Sequence, residues 1–201
     1  MAVVTTYEPG GSRLGERIRE LLLNKEHKGM NAHAELLLFF AARAEHVEKT
    51  IRPALEAGRW VLCERFTDAT YAYQAGGRGM DKQFIDYLAR HTIGGLEPDL
   101  TILLSVKSRK DAPRNVGAER ISRSSQLALN VGKAKGGAQP KERAAPDRFE
   151  QESGDFFRRV EAAYHAMANA DKKRWKVVDG KKPYAEVQER INSLLQPLTR
   201  A

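Results

Sequence analysis

The sequence predicts an α/β protein in which helices flank a parallel sheet. Short β-type runs alternate along the chain with long helical patterns, which is the order of elements in parallel α/β folds. The runs at 60–63 and 100–104 are continuously apolar, as expected for strands that are covered on both faces. With 41% hydrophobic residues among 201, the composition predicts one domain, residues 1–201, and excludes a chain that is disordered throughout.

The first half of the chain begins with a strand and two helices. A β-rich run at 2–6 ends at a Pro-Gly-Gly loop, and Ser12 is then suited to cap a helix over 13–23, whose leucines recur on one face. A helical pattern covers 35–57, and Pro53 within it predicts a break or the start of a new helix. The elements that follow in chain order are the strand at 60–63 and a helix over 81–91.

The second half contains the other apolar strand and a basic insertion. Residues 107–146 carry ten Lys or Arg against three acids, a net charge of +7 out of the chain's +8. Clustered cations attract phosphates, so weak binding of polyphosphate or nucleic acid is one prediction for this segment, and a solvated loop is the other. The elements after it are a helix over 156–168, a strand at 175–178 and an amphipathic helix over 184–198.

Composition also bears on the cellular setting. The single cysteine, Cys63, excludes an intrachain disulfide, and no cluster of cysteines and histidines predicts a structural zinc. The first seven residues lack the basic start and apolar core of a signal peptide, and no apolar run has the length of a membrane span. A cytoplasmic protein is the expectation.

Glu64 and Arg65 directly follow the strand at 60–63. Ligands of parallel sheets bind beyond the carboxyl ends of the strands, where an acid can hold a metal or hydroxyl and an arginine a phosphate. The alternative is a plain ion pair at a strand end. The glycine-rich stretch at 75–79, which includes Arg78, reads as a turn and is weak evidence for a phosphate contact.

Phe39 and Arg43 are four residues apart and share one face of a helix. An aromatic ring beside a guanidinium can stack on a nucleobase and bond its edge. The alternative is that Phe39 belongs to the core and Arg43 is a solvated surface charge.

Four segments, in this order, resemble the bacterial thymidylate kinases. They are Glu-Pro-Gly-Gly at 8–11, Glu-Leu-Leu-Leu-Phe-Phe-Ala-Ala-Arg-Ala at 35–44, Glu-Arg-Phe-Thr-Asp-Ala-Thr-Tyr-Ala-Tyr-Gln at 64–74 and Asp-Arg-Phe-Glu-Gln-Glu at 147–152. The resemblance covers 3–105 and resumes from 146 to the end. It implies a P-loop kinase fold, usually dimeric, that transfers the γ-phosphoryl group of ATP, with Mg²⁺, to dTMP.

The resemblance also implies roles for individual residues. Phe39 would stack on thymine, Arg43 would bond the base edge, and Arg65 would hold the dTMP phosphate. The tyrosine at position 73 would help to exclude a ribose 2′-hydroxyl. The implied substrate-binding set is Glu8, Phe39, Arg43, Arg65, Thr70, Tyr73 and Gln74, and the implied catalytic set is Glu64, Arg143 and Arg148. The basic segment 107–146 takes the place of the family's arginine-bearing lid.

The sequence departs from the family's pattern in its phosphate-binding parts. No Gly-x-x-x-x-Gly-Lys-Ser/Thr occurs in the 201 residues, so the family's first strand and P-loop are expected to be missing, with a gap between the strands that flank them. Single-residue departures are Tyr7 for an arginine, Glu64 for an aspartate, Ala75 for a glycine and Ser105 for an aspartate.

Three functions therefore stay open from the sequence. The first is a dTMP kinase. The second is a dTMP-binding remnant of that family without ATP turnover. The third is a basic nucleic-acid-binding protein, against which residues 107–146 lack an aromatic ring for base stacking.

Overall fold

The computed structural model describes residues 2–105 and 147–199. The basic segment 107–146, and Arg143 within it, lies outside the described residues. By its internal contacts the chain divides into two compact units, one containing residues 2–97 and 147–163 and the other containing 98–105 and 164–199. No helix in the described ranges has the length and apolar character needed to cross a membrane.

The first unit contains two strands and a series of helices. In chain order these are β1 (Val3–Tyr7), α1 (Arg13–Leu23), a 3₁₀ turn (Lys25–His27), α2 (Ala32–His46), a π-helical stretch (Val47–Ile51), α3 (Arg52–Glu56), β2 (Trp60–Glu64), α4 (Thr67–Thr70), a second π-helical stretch (Tyr71–Gly77) and α5 (Lys82–Ile93). The helix α6 (Gly154–Ala170) begins in this unit and ends in the other. The predicted strands and helices of this region are all confirmed within a few residues.

Capping side chains set the starts of these helices. The backbone N–H of Gly15 donates to Ser12 Oγ at 3.0 Å, which confirms the predicted cap of α1. Pro53 lies in the first turn of α3, where a proline needs no hydrogen-bond partner for its nitrogen. The chain stays helical before it through the π-helical stretch at Val47–Ile51, so the predicted new helix begins without a loop.

The strands β1 and β2 form a parallel pair that brings two candidate loops together. Val3 lies opposite Trp60, and the register continues to Tyr7 opposite Glu64. The ladder extends one step further, since the N–H of Glu8 donates to the carbonyl of Glu64 at 2.9 Å. Glu8 and Glu64 therefore lie side by side at the carboxyl edge of the sheet.

The prediction that residues 60–63 are covered on both faces is wrong. Val3 is 51% exposed and Leu62 is 49% exposed. Both side chains lie on the same face of the β1–β2 pair. Leu62 is paired with Thr5, and Thr5 points to the same face as Val3 because side chains alternate between faces along a strand. The pair thus has one packed face and one open face.

Helix α2 lies at the centre of the core of this unit. Its Leu36 and Phe40 pack with Ala75 and with Ile85 and two other residues of α5, and its Ala42 packs with α1. A further cluster joins the π-helical stretch after α2 to the end of α5. Elements on several sides of α2 are therefore fixed relative to its side chains.

The glycine-rich stretch at 75–79 is helical through Gly77 and turns only at Arg78 and Gly79, so the predicted turn is confirmed in the last two residues alone. A Cβ on Gly76 would lie 2.6 Å from Ala163 Cβ, and one on Gly77 would lie 2.5 Å from the Phe156 ring. The absence of side chains lets this helical segment approach α6 closely. Ala75 is buried in the core at a helical φ, so the position needs no glycine.

The second unit is built on another parallel pair. β3 (Thr101–Ser105) lies beside β4 (Trp175–Asp179), with Thr101 opposite Trp175, and α7 (Tyr184–Thr199) follows. The buried Trp175 packs against Tyr164 at 6.3 Å between ring centroids. Among the described residues no ladder joins β2 to β3, so the strands form two separate parallel pairs.

We expect Gly77→Ala to destabilise the protein by about 1–3 kcal/mol, because the new methyl overlaps the buried Phe156 ring. Urea unfolding followed by circular dichroism measures the change. Gly154→Ala is the control: its new methyl meets Arg158 at an ordinary 3.6 Å and should change stability by less than about 1 kcal/mol. Equal unfolding midpoints for the two variants would contradict the close packing of Gly77 on α6.

Candidate active site

The guanidinium of Arg43 is buried between α2 and the loop after β2. Arg43 is 2% exposed; its Nε donates to Glu8 Oε2 at 2.7 Å, and its Nη2 donates to Thr70 Oγ1 at 2.9 Å. The faces of Phe40 and Phe66 flank it at 4.9 and 5.6 Å. The reading of Arg43 as a solvated surface charge is therefore wrong, and Glu8, Arg43 and Thr70 form one connected group.

His46 extends this group toward β1, and sequence reasoning missed it. Its Nδ1 lies 3.0 Å from Glu8 Oε1, and its Nε2 lies 2.6 Å from Thr6 Oγ1. A carboxylate only accepts, so His46 Nδ1 carries a proton and donates it to Glu8. Arg43 and His46 are three residues apart on α2, and that spacing was the signal for a shared acid.

One nitrogen of the Arg43 guanidinium differs from the others in having no partner in the described ranges. Its Nη1 is buried and has no hydrogen-bond partner among the described residues. An unsatisfied buried donor costs about 1–3 kcal/mol, so a fully paired core would not leave one. The described residues therefore supply no acceptor for this N–H group.

A second buried centre forms around Glu35, which is fully buried at 0% exposure. Gln74 Nε2 donates to Oε1 at 2.9 Å, Arg78 donates to both oxygens at 3.1 Å, and Arg148 Nη1 donates to Oε2 at 2.6 Å. Arg78 also pairs with Glu152 at 2.7 Å. Glu35 and Glu152 lie within the motifs shared with the family, but the sequence alone predicted no role for either side chain.

These bonds set the charge of Glu35. Burial opposes ionisation of its carboxyl, but hydrogen bonds from Arg78, Gln74 and Arg148 outweigh burial and lower the pKa of Glu35 below its usual 4.5. Glu35 is therefore a carboxylate at neutral pH.

Aromatic rings connect the two buried centres. Phe39 lies one helical turn from both Glu35 and Arg43, and its ring is 5.9 Å from that of Phe149. Tyr73 meets Phe149 edge to face at 6.0 Å. Phe39 keeps part of its ring exposed, whereas Phe149 is buried. A partly exposed ring on a fixed aromatic support is suited to stack on a planar ligand.

Arg65 follows β2 in a backbone conformation that side chains rarely adopt. Its φ is 64°, and its guanidinium lies 5.1 Å from the centre of the Tyr73 ring. A non-glycine residue in this region costs about 1–3 kcal/mol, and such strain clusters at functional sites. The thiol of Cys63 donates to the Arg65 carbonyl at 3.0 Å; burial raises the pKa of Cys63, so this donor keeps its proton.

The structure places the remaining predicted residues as follows. Glu64 ends β2 and is half-buried beside Glu8. Arg148, expected from the resemblance to reach phosphates, is 5% exposed; it also donates from Nε to the Leu22 carbonyl, while its Nη2 is buried without a partner in the described ranges. Arg143 lies outside the described residues. Within residues 2–105 and 147–199 no group of three acids, histidines or cysteines could hold a metal ion.

Comparisons with known proteins agree with one another. Residues 1–191 match the thymidylate kinase family. The chain is 44% identical to the thymidylate kinase of Pseudomonas savastanoi pv. phaseolicola (strain 1448A / Race 6) over 98% of its own length and 81% of the relative's. It is 43% identical to that of Halorhodospira halophila (strain DSM 244 / SL1) over 94% and 76%. A crystal structure of thymidylate kinase from Ehrlichia chaffeensis matches with a TM-score of 0.66 at 28% identity, over 96% of this chain and 80% of that one.

We expect Glu35 to make the stability of the fold depend on pH. Its pKa in the folded protein is below 4.5, so its contribution is present above pH 4.5 and is lost as the pH falls further. Glu35→Gln should therefore lower the melting temperature most at pH 7, and the difference from the unmodified chain should shrink toward pH 3. Glu20→Gln, which alters an exposed ion pair, is the control and should matter little at any pH. A deficit of Glu35→Gln that stays constant from pH 7 to 3 would contradict this account.

Proposed function

The chain belongs to the thymidylate kinase family, and from this premise we propose that it binds dTMP as the acceptor of a phosphoryl group from ATP. The observation that supports this most is the buried Arg43, whose Nη1 has no partner within residues 2–105 and 147–199, one helical turn from the partly exposed Phe39. A thymine ring stacked on Phe39 would offer a carbonyl oxygen as the acceptor that Arg43 lacks. Family membership and this geometry support the same ligand.

Several side chains take part in the proposed recognition of the base. Phe39 stacks on the base, with Phe149 behind it holding the ring in place. Arg43 donates to the base edge, and Glu8 orients Arg43 by accepting from its Nε. Thr70 accepts from Arg43 on the other side of the guanidinium. The base is thus recognised by one stacking ring and one pre-oriented cation.

The sugar and phosphate would lie toward the carboxyl edge of the β1–β2 pair. We assign the dTMP phosphate to Arg65, whose backbone conformation sets the direction of its side chain. Tyr73, beneath the Arg65 guanidinium, is the side chain that we assign to exclusion of a ribose 2′-hydroxyl. Glu64, at the end of β2, is the acid that we assign to the transfer step.

ATP and Mg²⁺ are implied by the family. The described residues contain no group of three acids, histidines or cysteines for a metal, and the sequence has no P-loop lysine followed by serine or threonine. The sequence therefore lacks the P-loop part of the family's Mg–ATP site, which supplies the phosphate lysine and a hydroxyl ligand of Mg²⁺. The same departure favours a second candidate function, a dTMP-binding protein without ATP turnover.

We expect the chain to bind dTMP more tightly than dCMP, because the Arg43 donor suits the carbonyl of thymine and not the NH₂ group of cytosine. It should also bind dTMP more tightly than dGMP, because thymidylate is the substrate that the family implies. Isothermal titration with the three monophosphates measures the preference. Phe39→Ala should weaken dTMP binding by about 1–3 kcal/mol, the usual loss for a base-stacking ring.

Tyr87→Ala is the matched control for Phe39→Ala, since it removes an exposed aromatic ring of α5 that stacks on His91. It should leave the affinity for dTMP unchanged. Equal heats for all three nucleotides, or equal losses in the two variants, would overturn the proposed site.

We expect the purified 201-residue chain to transfer little phosphoryl from ATP to dTMP. Catalysis of this transfer comes almost entirely from positioning and charge stabilisation, and the amide cradle and lysine of a P-loop have no counterpart in the sequence. A coupled assay of ADP release with saturating dTMP measures the rate. Turnover at about 1 per second or above, the ordinary kinase range, would show that other residues supply the phosphate site.

A further inference from the structure

Glu35, Phe39 and Arg43 are spaced four residues apart on α2 and share one face of that helix. The helical segment that begins at Thr67 meets this face in the opposite direction. Thr70 bonds Arg43, and Gln74, four residues further on, bonds Glu35. Along this face of α2, Phe39 lies between the residue that bonds Gln74 and the residue that bonds Thr70.

The chemistry of each pair determines what it can offer to a ligand. A carboxylate has only acceptors, so the Gln74 amide must turn its NH₂ group to Glu35, which directs its carbonyl oxygen away on the other branch of the amide. A guanidinium has only donors, and the Nη1 donor of Arg43 meets no acceptor in the part of the chain that the structure describes. The Glu35–Gln74 pair therefore presents an acceptor, the Gln74 carbonyl oxygen, and the Arg43–Thr70 pair presents a donor, Arg43 Nη1. Phe39 lies between the two pairs along α2.

We propose that Glu35 is a positioning residue: it fixes the orientation of the Gln74 amide and thereby sets the hydrogen-bond polarity with which the site reads a pyrimidine edge. This inference rests on the proposed binding of dTMP. The edge of thymine offers a carbonyl acceptor beside an N–H donor, which matches the donor of Arg43 and the acceptor of Gln74. Cytosine offers an NH₂ donor beside a ring-nitrogen acceptor, which is the opposite order.

Two arginines hold the Glu35 carboxylate in its orientation toward Gln74. Arg78 bonds both carboxylate oxygens, and Arg148 bonds Oε2 at 2.6 Å, so the carboxylate cannot rotate away from Gln74 without breaking these bonds. Arg78 is itself held by Glu152. An amide at position 35 could turn its own NH₂ toward Gln74, and the amide of Gln74 would then be free to flip.

The test compares dTMP and dCMP binding by isothermal titration in Glu35→Gln and in Glu48→Gln. Glu48→Gln is the matched control, because it makes the same substitution in an exposed ion pair with Arg52 that involves neither Glu35 nor Gln74. The preference for dTMP should fall about tenfold or more in Glu35→Gln, as expected when a buried hydrogen-bond match is lost. In Glu48→Gln it should change by less than about threefold.

A second variant tests the route through Gln74. Gln74→Leu removes the amide and leaves an apolar side chain that is one bond shorter, and it should lower the preference for dTMP about as much as Glu35→Gln does. In the double variant the two effects should not add, since both act through one amide. Gln74→Leu also tests the proposal if Glu35→Gln does not fold, because Glu35 is then unaltered.

The outcomes separate this inference from the function on which it rests. An unmodified chain that binds dTMP and dCMP equally would overturn the proposed function itself. An unmodified chain that prefers dTMP, with Glu35→Gln weakening both nucleotides by the same factor, would assign Glu35 a purely structural role and overturn the inference. An unchanged preference in Gln74→Leu would overturn it as well.

Discussion

The buried carboxylate of Glu35 is the interaction on which the rest of the site depends. It is fully buried and accepts from Gln74, Arg78 and Arg148, side chains that come from two separate parts of the chain. Removing one partner of a buried charge pair leaves the other charge without compensation, which usually costs several kcal/mol. The segment at 147–152 and the helical segment ending at Gly77 are therefore held to α2 by charge as well as by apolar packing.

Helix α2 carries a second buried charge, Arg43, which differs from Glu35 in how completely it is hydrogen-bonded. Glu35 has its hydrogen bonds within the protein, whereas Arg43 keeps a buried nitrogen without a partner in the described ranges. The bonds from Glu8 and Thr70 hold the rest of that guanidinium still. A rigid cation with one open donor binds with little loss of conformational entropy, which favours specific recognition of an acceptor.

The strands and glycines supply the geometry for these side chains. The parallel register of β1 and β2 places Glu8 beside Glu64, although 56 positions separate them in the sequence. Gly76 and Gly77 let the helical segment that carries Gln74 lie against α6 at a distance that no side chain would permit. Their role is close packing, whereas the sequence pattern had suggested a turn.

The sequence by itself determined the strands and helices, the cap at Ser12 and the family, because periodicity, capping and motifs are local properties of the chain. It also predicted Phe39, Arg43 and Gln74 as candidate site residues. Only the tertiary structure decided which of these side chains are buried and what each one bonds. His46 and Glu35 were not assigned a role because their partners are distant in sequence: Thr6 lies 40 positions from His46, and Arg148 lies 113 positions from Glu35. Burial of a charge follows from how elements pack, and no local pattern encodes which distant charge will compensate it.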